Sequence, residues 1–109
     1  MPNFSLFIIL VTLISCSHLS EKKLVFDSRL SAFDYPFEVK EFKLKSQNQD
    51  LIMAYMDISP RNPEGTYVLF HGKNFAGFYF KDFIDFFVKN NYRVIVIDQV
   101  GFGKSSKPQ

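Results

Sequence analysis

The chain has 109 residues, 47% of them hydrophobic, which suits one small globular unit and excludes a disordered tail. A formal net charge of +2 with no dense Lys/Arg block excludes a nucleic-acid-binding stripe. Cys16 is the only cysteine, so no internal disulfide forms. His18 and His71 have no Cys or second His at ligand spacing, so neither a metal site nor a cofactor is expected.

Phe4 to Ile14 is an uncharged apolar run of 11 residues. A spanning helix needs roughly 20, so the run has the length of a signal-peptide hydrophobic region. Leu13-Ile14-Ser15-Cys16 then sets a small residue before the lone cysteine. This resembles the lipobox of bacterial lipoproteins. The resemblance implies cleavage before Cys16, acylation of its thiol, and an exported protein held in the cell envelope by membrane lipid. Two or three acyl chains anchor stably where one is reversible. An ordinary secretory signal, or a short buried helix with a chance cysteine, remains the alternative. The organisation read from these features is a signal peptide at 1–15, a tether and lead-in at 16–36, and a domain at 37–109.

Phe37 to Lys45 alternates apolar and charged residues, the period of a half-buried strand. Its phase slips between Val39 and Phe42, which predicts a bulge or bend. Ser46 to Asp50 is turn-like, and Leu51 to Ile58 predicts a second strand closing an antiparallel hairpin. Ser59 to Gly65, with two prolines and a glycine, is a loop. Thr66 to Phe70 has no alternation and predicts a strand covered on both faces. A helix is predicted over Phe78–Lys89, with Phe80, Phe83, Ile84, Phe87 and Val88 as its core-facing stripe and Asp85 paired with Lys89. Asn90-Asn91 fits its end, since Asn tolerates the left-handed conformation. Tyr92 to Ile97 is a second buried strand. Strand, helix and strand with tight connections predict a right-handed βαβ unit with parallel strands. The fold class is therefore α/β, a mixed sheet in which a hairpin leads into parallel strands.

Ligands bind beyond the carboxyl ends of such strands. Two loops lie there, His71 to Gly77 and Asp98 to Ser106. The second contains Gly103-Lys104-Ser105, which invites a phosphate-binding reading. The pattern G-x-x-x-x-G-K-[ST] needs a glycine five places before Gly103, and Asp98, an anion, stands there. The dinucleotide pattern G-x-G-x-x-G matches at Gly101 and Gly103 and fails at Ser106. A nucleotide-binding module is the weakest of the readings.

Taken together, "YVLFHGKNFAG", "NYRVIVIDQVGFGKSSKP" and the preceding hairpin resemble the amino-terminal portion of the α/β-hydrolase family, over roughly 37–109. The resemblance implies that the His71-Gly72 loop supplies part of an oxyanion hole, with the backbone N–H of Lys73, and next that of Asn74, as donors. His71 is then a packed structural residue, and Gly72 lets the chain turn sharply. Asp98 ties its turn through backbone N–H groups, Gly101 and Gly103 meet unusual backbone angles or close packing, and Ser105 caps a following helix.

The family's nucleophile sits in a G-x-S-x-G elbow, and that motif does not occur in this sequence. No catalytic residue is therefore assigned within the chain. It reads as the amino-terminal part of a lipid-anchored hydrolase acting on an ester, amide or related bond of a small molecule, inactive as it stands. The alternative is a non-catalytic lipoprotein or binding scaffold. Such a half-sheet is expected to leave the outer edge of its last strand and both faces poorly covered, with marginal stability and aggregation.

Overall fold

The computed structural model describes residues 23–108; the signal-peptide run, Cys16 and the start of the tether lie outside them. Strand β1 (Val39–Ser46) and strand β2 (Gln49–Ile58) form an antiparallel hairpin. Strand β3 (Gly65–Phe70), a 3-10 turn (Gly77–Phe80), helix α1 (Lys81–Lys89) and strand β4 (Tyr92–Ile97) follow. The four strands form one mixed sheet in the order β1-β2-β4-β3, with β3 parallel to β4 and β2 antiparallel to it.

The hairpin closes tighter than the sequence predicts. Only Gln47 and Asn48 form the turn, both at positive φ (50° and 58°), as a two-residue connection requires. The β1–β2 register runs unbroken from Val39 opposite Met56 to Ser46 opposite Gln49, so the expected bulge is absent. The phase slip has a simpler cause. Phe42 and Val39 point to opposite faces of the strand, and Phe42 is left exposed.

The core lies on one face of the sheet. Met56, Val94 and Val96 meet Ile84 of α1, and Phe80, Phe87 and Val88 pack around them. Burying each of these four central side chains stabilises the fold by about 1.5–3 kcal/mol relative to exposure. Two members of the predicted region behave differently. Phe83 stays exposed, and Asp85 pairs with Lys81 at 2.5 Å rather than with Lys89. Both lysines lie one helical turn from Asp85, and its carboxylate takes the amino-terminal one. The helix ends where expected: Asn91 is left-handed at φ 68°, and the Asn90 side chain donates to the carbonyl of Phe86.

Coverage departs from expectation in two ways. The last strand, β4, is internal, and the edge strands are β1 and β3. The centre of one face is covered, over Met56, Val94 and Val96, although Tyr67 on that face stays 41% exposed. On the other, Phe42, Val68 and Phe70 remain exposed, so β3 is not covered on both sides by the described residues. Within the described residues, the lead-in packs against the domain. Phe33 meets Phe78 at 4.7 Å between ring centroids, and Tyr35 meets Phe78 at 5.5 Å.

Candidate active-site cleft

Both candidate loops leave the carboxyl ends of the parallel strands β3 and β4. Asp98, the first residue after β4, is 2% exposed and holds three donors. Its Oδ1 accepts the N–H of Gly77 at 2.6 Å. Its Oδ2 accepts the Tyr35 hydroxyl at 2.6 Å and the N–H of Lys104 at 2.8 Å. One carboxylate thus fastens the lead-in, the first loop and the second loop to each other. Removing it would leave three donors without a partner at once, so this is the most costly point at which to cut the site. Burial first, and then the Asp98 carboxylate beside it, push the Tyr35 phenol well above its usual range.

The glycines around Asp98 have distinct reasons to be glycine. A Cβ on Gly103 would stand 2.1 Å from Asp98 Oδ2, at a φ of 51° that itself disfavours a side chain. A Cβ on Gly77 would stand 2.9 Å from Val96 Cγ1. Gly101, at φ 97°, has open space and is there for its backbone alone.

Ser105 is fully buried, and its hydroxyl is engaged with β2 and with Asp98 at the end of β4; a helix for it to cap would lie outside the described residues. Its hydroxyl donates to the carbonyl of Asp98 at 2.5 Å and accepts the N–H of Ala54 at 2.8 Å. Asp98 N–H bonds the Ala54 carbonyl directly at 2.9 Å. An antiparallel pair would exchange two backbone bonds here, and the serine hydroxyl is inserted into the second. Ser106 continues the contact, exchanging bonds with Ile52 through its N–H and its hydroxyl.

His71 joins the two loops. Its Nε2 accepts the N–H of Gln99 at 2.9 Å, and its Nδ1 lies 2.9 Å from the carbonyl of Gly72, so the proton sits on Nδ1. The Gln99 side chain returns a bond to the His71 carbonyl at 2.6 Å. Both ring nitrogens are thereby engaged in holding backbone.

The turn that follows runs from Gly72 to Phe75, closed by Phe75 N–H to the Gly72 carbonyl at 3.1 Å. Its left-handed residue is Asn74 (φ 66°), not Gly72, so the sharp bend is carried by an asparagine two positions later than expected. Lys73 and Asn74 are exposed, and their N–H groups have no backbone acceptor among the described residues. Between the two loops lies an open cleft of about 290 Å³, walled by Asn74, Phe75 and Tyr79 on one side and Gly101 to Gly103 on the other. Lys73 is not part of that wall.

The Gly103-Lys104-Ser105 triplet has no phosphate role in this arrangement. Lys104 Nζ donates to the Leu30 carbonyl at 2.7 Å and lies 5.2 Å from the centre of the Tyr35 ring. The space a phosphate would need beside Gly103 holds the Asp98 carboxylate. Lys107 Nζ donates to the carbonyls of Ser105 (2.8 Å) and Gly103, and burial holds its ammonium below the usual lysine range. Among the described residues, no three His, Cys, Asp or Glu side chains gather at metal-binding distance.

Sequence reasoning missed Tyr35, Gln99 and the Asp98-facing role of Gly77. Gly77 carried a signal, being a glycine placed just before a helix. Tyr35 and Gln99 carried none, because their partners lie 63 and 28 residues away.

No protein-family model and no curated protein matches the chain. Solved structures do. A probable hydrolytic enzyme from Pseudomonas aeruginosa superposes with a TM-score of 0.74 at 46% identity, over 77% of this chain and 27% of that one. The haloalkane dehalogenase DpaA from Paraglaciecola agarilytica gives 0.64 at 28% identity, over 78% and 29%. A bromoperoxidase from Bacillus anthracis gives 0.52 at 30% identity, over 63% and 24%. The chain therefore spans between a quarter and a third of the length of the first two. These neighbours are α/β hydrolases, and the mixed sheet described above is the amino-terminal part of that fold.

Proposed function

We propose that the chain forms the oxyanion-hole side of a lipid-anchored serine hydrolase and has no hydrolytic activity without the remainder of the fold. The observation that carries this reading is the turn at Gly72–Phe75. It leaves the N–H groups of Lys73 and Asn74 without backbone acceptors, with Asn74 on the wall of the open cleft and Lys73 next to it in sequence, on a loop anchored at both ends by His71 and Asp98. Donors held in advance where negative charge develops stabilise a tetrahedral intermediate at no reorganisation cost. In the complete site a serine Oγ attacks the carbonyl carbon of an ester or amide, and its oxygen moves into reach of these donors. Collapse of the intermediate expels the alcohol or amine, and water then hydrolyses the acyl-serine, releasing the carboxylic acid and restoring the serine hydroxyl. The serines of the second loop are unsuited to attack, since the Ser105 and Ser106 hydroxyls are engaged with the backbone of β2.

The test has two parts. Reading the coding DNA beyond Gln109 should reveal a G-x-S-x-G elbow within a few dozen codons, followed by an acid and a histidine. The polypeptide of that complete frame should be labelled by a fluorophosphonate in native membranes, and the 109-residue chain should not. A complete frame that lacks the elbow and takes no label overturns the reading in favour of a non-catalytic lipoprotein. Anchoring is checked separately: Cys16→Ser should abolish incorporation of labelled palmitate and release the protein from membranes.

A further inference from the structure

The lead-in has a second role besides packing. Leu30 and Ser28 line the same cleft as Asn74 and Gly101 to Gly103. Leu30 stands at φ 51°, a conformation that a bulky side chain rarely adopts. Three contacts hold it there. Its N–H donates to the Asp27 carbonyl at 3.1 Å, and its carbonyl accepts Phe33 N–H at 2.9 Å and Lys104 Nζ at 2.7 Å. Its neighbour Arg29 grips the same second loop, donating from Nε to the Lys104 carbonyl at 3.0 Å. The segment is therefore clamped to the loop that forms the far wall. Glycine or asparagine would suit this backbone better than leucine. Backbone strain of this kind clusters at functional sites, and Leu30 lies on a cleft wall.

We infer that Leu30 is a specificity-determining residue: it closes one end of the cleft and limits the length of the apolar group that the substrate places there. This rests on the hydrolase reading for the nature of the substrate, but not for the existence of the apolar subsite.

Two measurements on the polypeptide of the complete reading frame test it. The first compares kcat/KM for p-nitrophenyl acetate, butyrate and octanoate in the natural protein, Leu30→Gly and Leu30→Asn. Leu30→Gly relaxes the backbone and opens the wall, so the octanoate-to-acetate ratio should rise about tenfold. Leu30→Asn keeps a side chain of similar reach in a backbone that asparagine tolerates, so its ratio should stay near the natural one. Identical ratios in the natural protein and Leu30→Gly, with only a raised melting temperature in the variant, overturn the inference and leave Leu30 a turn residue. The second measurement needs no hydrolysis: 1-hexanol is titrated while the amide shifts of Leu30, Asn74 and Gly101 are followed. Saturable shifts at these three amides, with an affinity altered about tenfold by Leu30→Gly, support the subsite even if no ester is turned over. Absence of saturable shifts there, or an unchanged affinity, overturns it, whereas loss of ester hydrolysis alone overturns only the hydrolase reading.

Discussion

At the carboxyl ends of β3 and β4, His71, Asp98 and Ser105 are buried and every one of their polar side-chain atoms has a partner. Across the sheet, on the face away from α1, Phe42, Val68 and Phe70 meet solvent, and β3 offers an unpaired edge. The first region is held by directed bonds that tolerate almost no change. The second is a surface with chemistry suited to burial and nothing among the described residues to bury it. Hydrogen bonds within a short loop knot can be satisfied locally, whereas an apolar sheet face needs another layer to cover it. The loops are therefore complete as geometry while the sheet that carries them is open.

Substitutions should separate the two regions sharply. The largest effect is expected at Asp98→Ala, which strands the Tyr35 hydroxyl and the N–H groups of Gly77 and Lys104. Loss of about 3–5 kcal/mol in urea unfolding is the expected result, because buried donors left unpaired carry their full desolvation cost. Gly103→Ala should approach that figure, since its methyl collides with the Asp98 carboxylate, while Gly101→Ala should cost only about 1–2 kcal/mol for its backbone. Equal costs at the two glycines would mean that the Gly103 contact is not as tight as described. Ser105→Ala removes the hydroxyl between Ala54 and Asp98 and should cost about 2–3 kcal/mol in the same assay.

On the open face the expectation reverses. Phe42→Ser and Phe70→Lys should change unfolding free energy by no more than about 0.5 kcal/mol and reduce aggregation measured by light scattering. A large loss of stability in the 109-residue chain would show that this face is covered after all. Smallest is a pH effect at Tyr35. Its folded-state pKa is raised, so the stability it contributes is fully present below the unfolded value of 10.0 and is lost as pH rises above it. Ultraviolet titration should show a phenol that stays un-ionised well above the ordinary phenol range, and Tyr35→Phe should remove that resistant signal.

Much of the frame was legible in the sequence because local chemistry dictates it. Tyr92 to Ile97 reads as a strand from its β-branched run alone, although only Val94 and Val96 are buried in it and Arg93 pairs with Asp57. Asn91 stops the helix because asparagine tolerates the left-handed backbone found there. The Gly-Lys-Ser letters could be set aside because Asp98 stands where a glycine was needed. What stayed hidden depends on distant residues. The strand order that places β4 inside and β3 at the edge leaves no local mark. Nor does the Tyr35 bond to Asp98, which crosses 63 residues. The Ser105 hydroxyl filling a gap in the β2–β4 ladder was hidden as well, because its partner Ala54 lies 51 residues away.

The most direct measurement is a structure of the complete-frame polypeptide with a phosphonate bound covalently to its nucleophile. The account predicts the phosphoryl oxygen about 2.7–3.1 Å from the backbone nitrogen of Lys73 or Asn74, inside the cleft between the two loops. An adduct whose oxygen is held by other groups, with the Gly72–Phe75 turn facing away from it, would contradict the assignment.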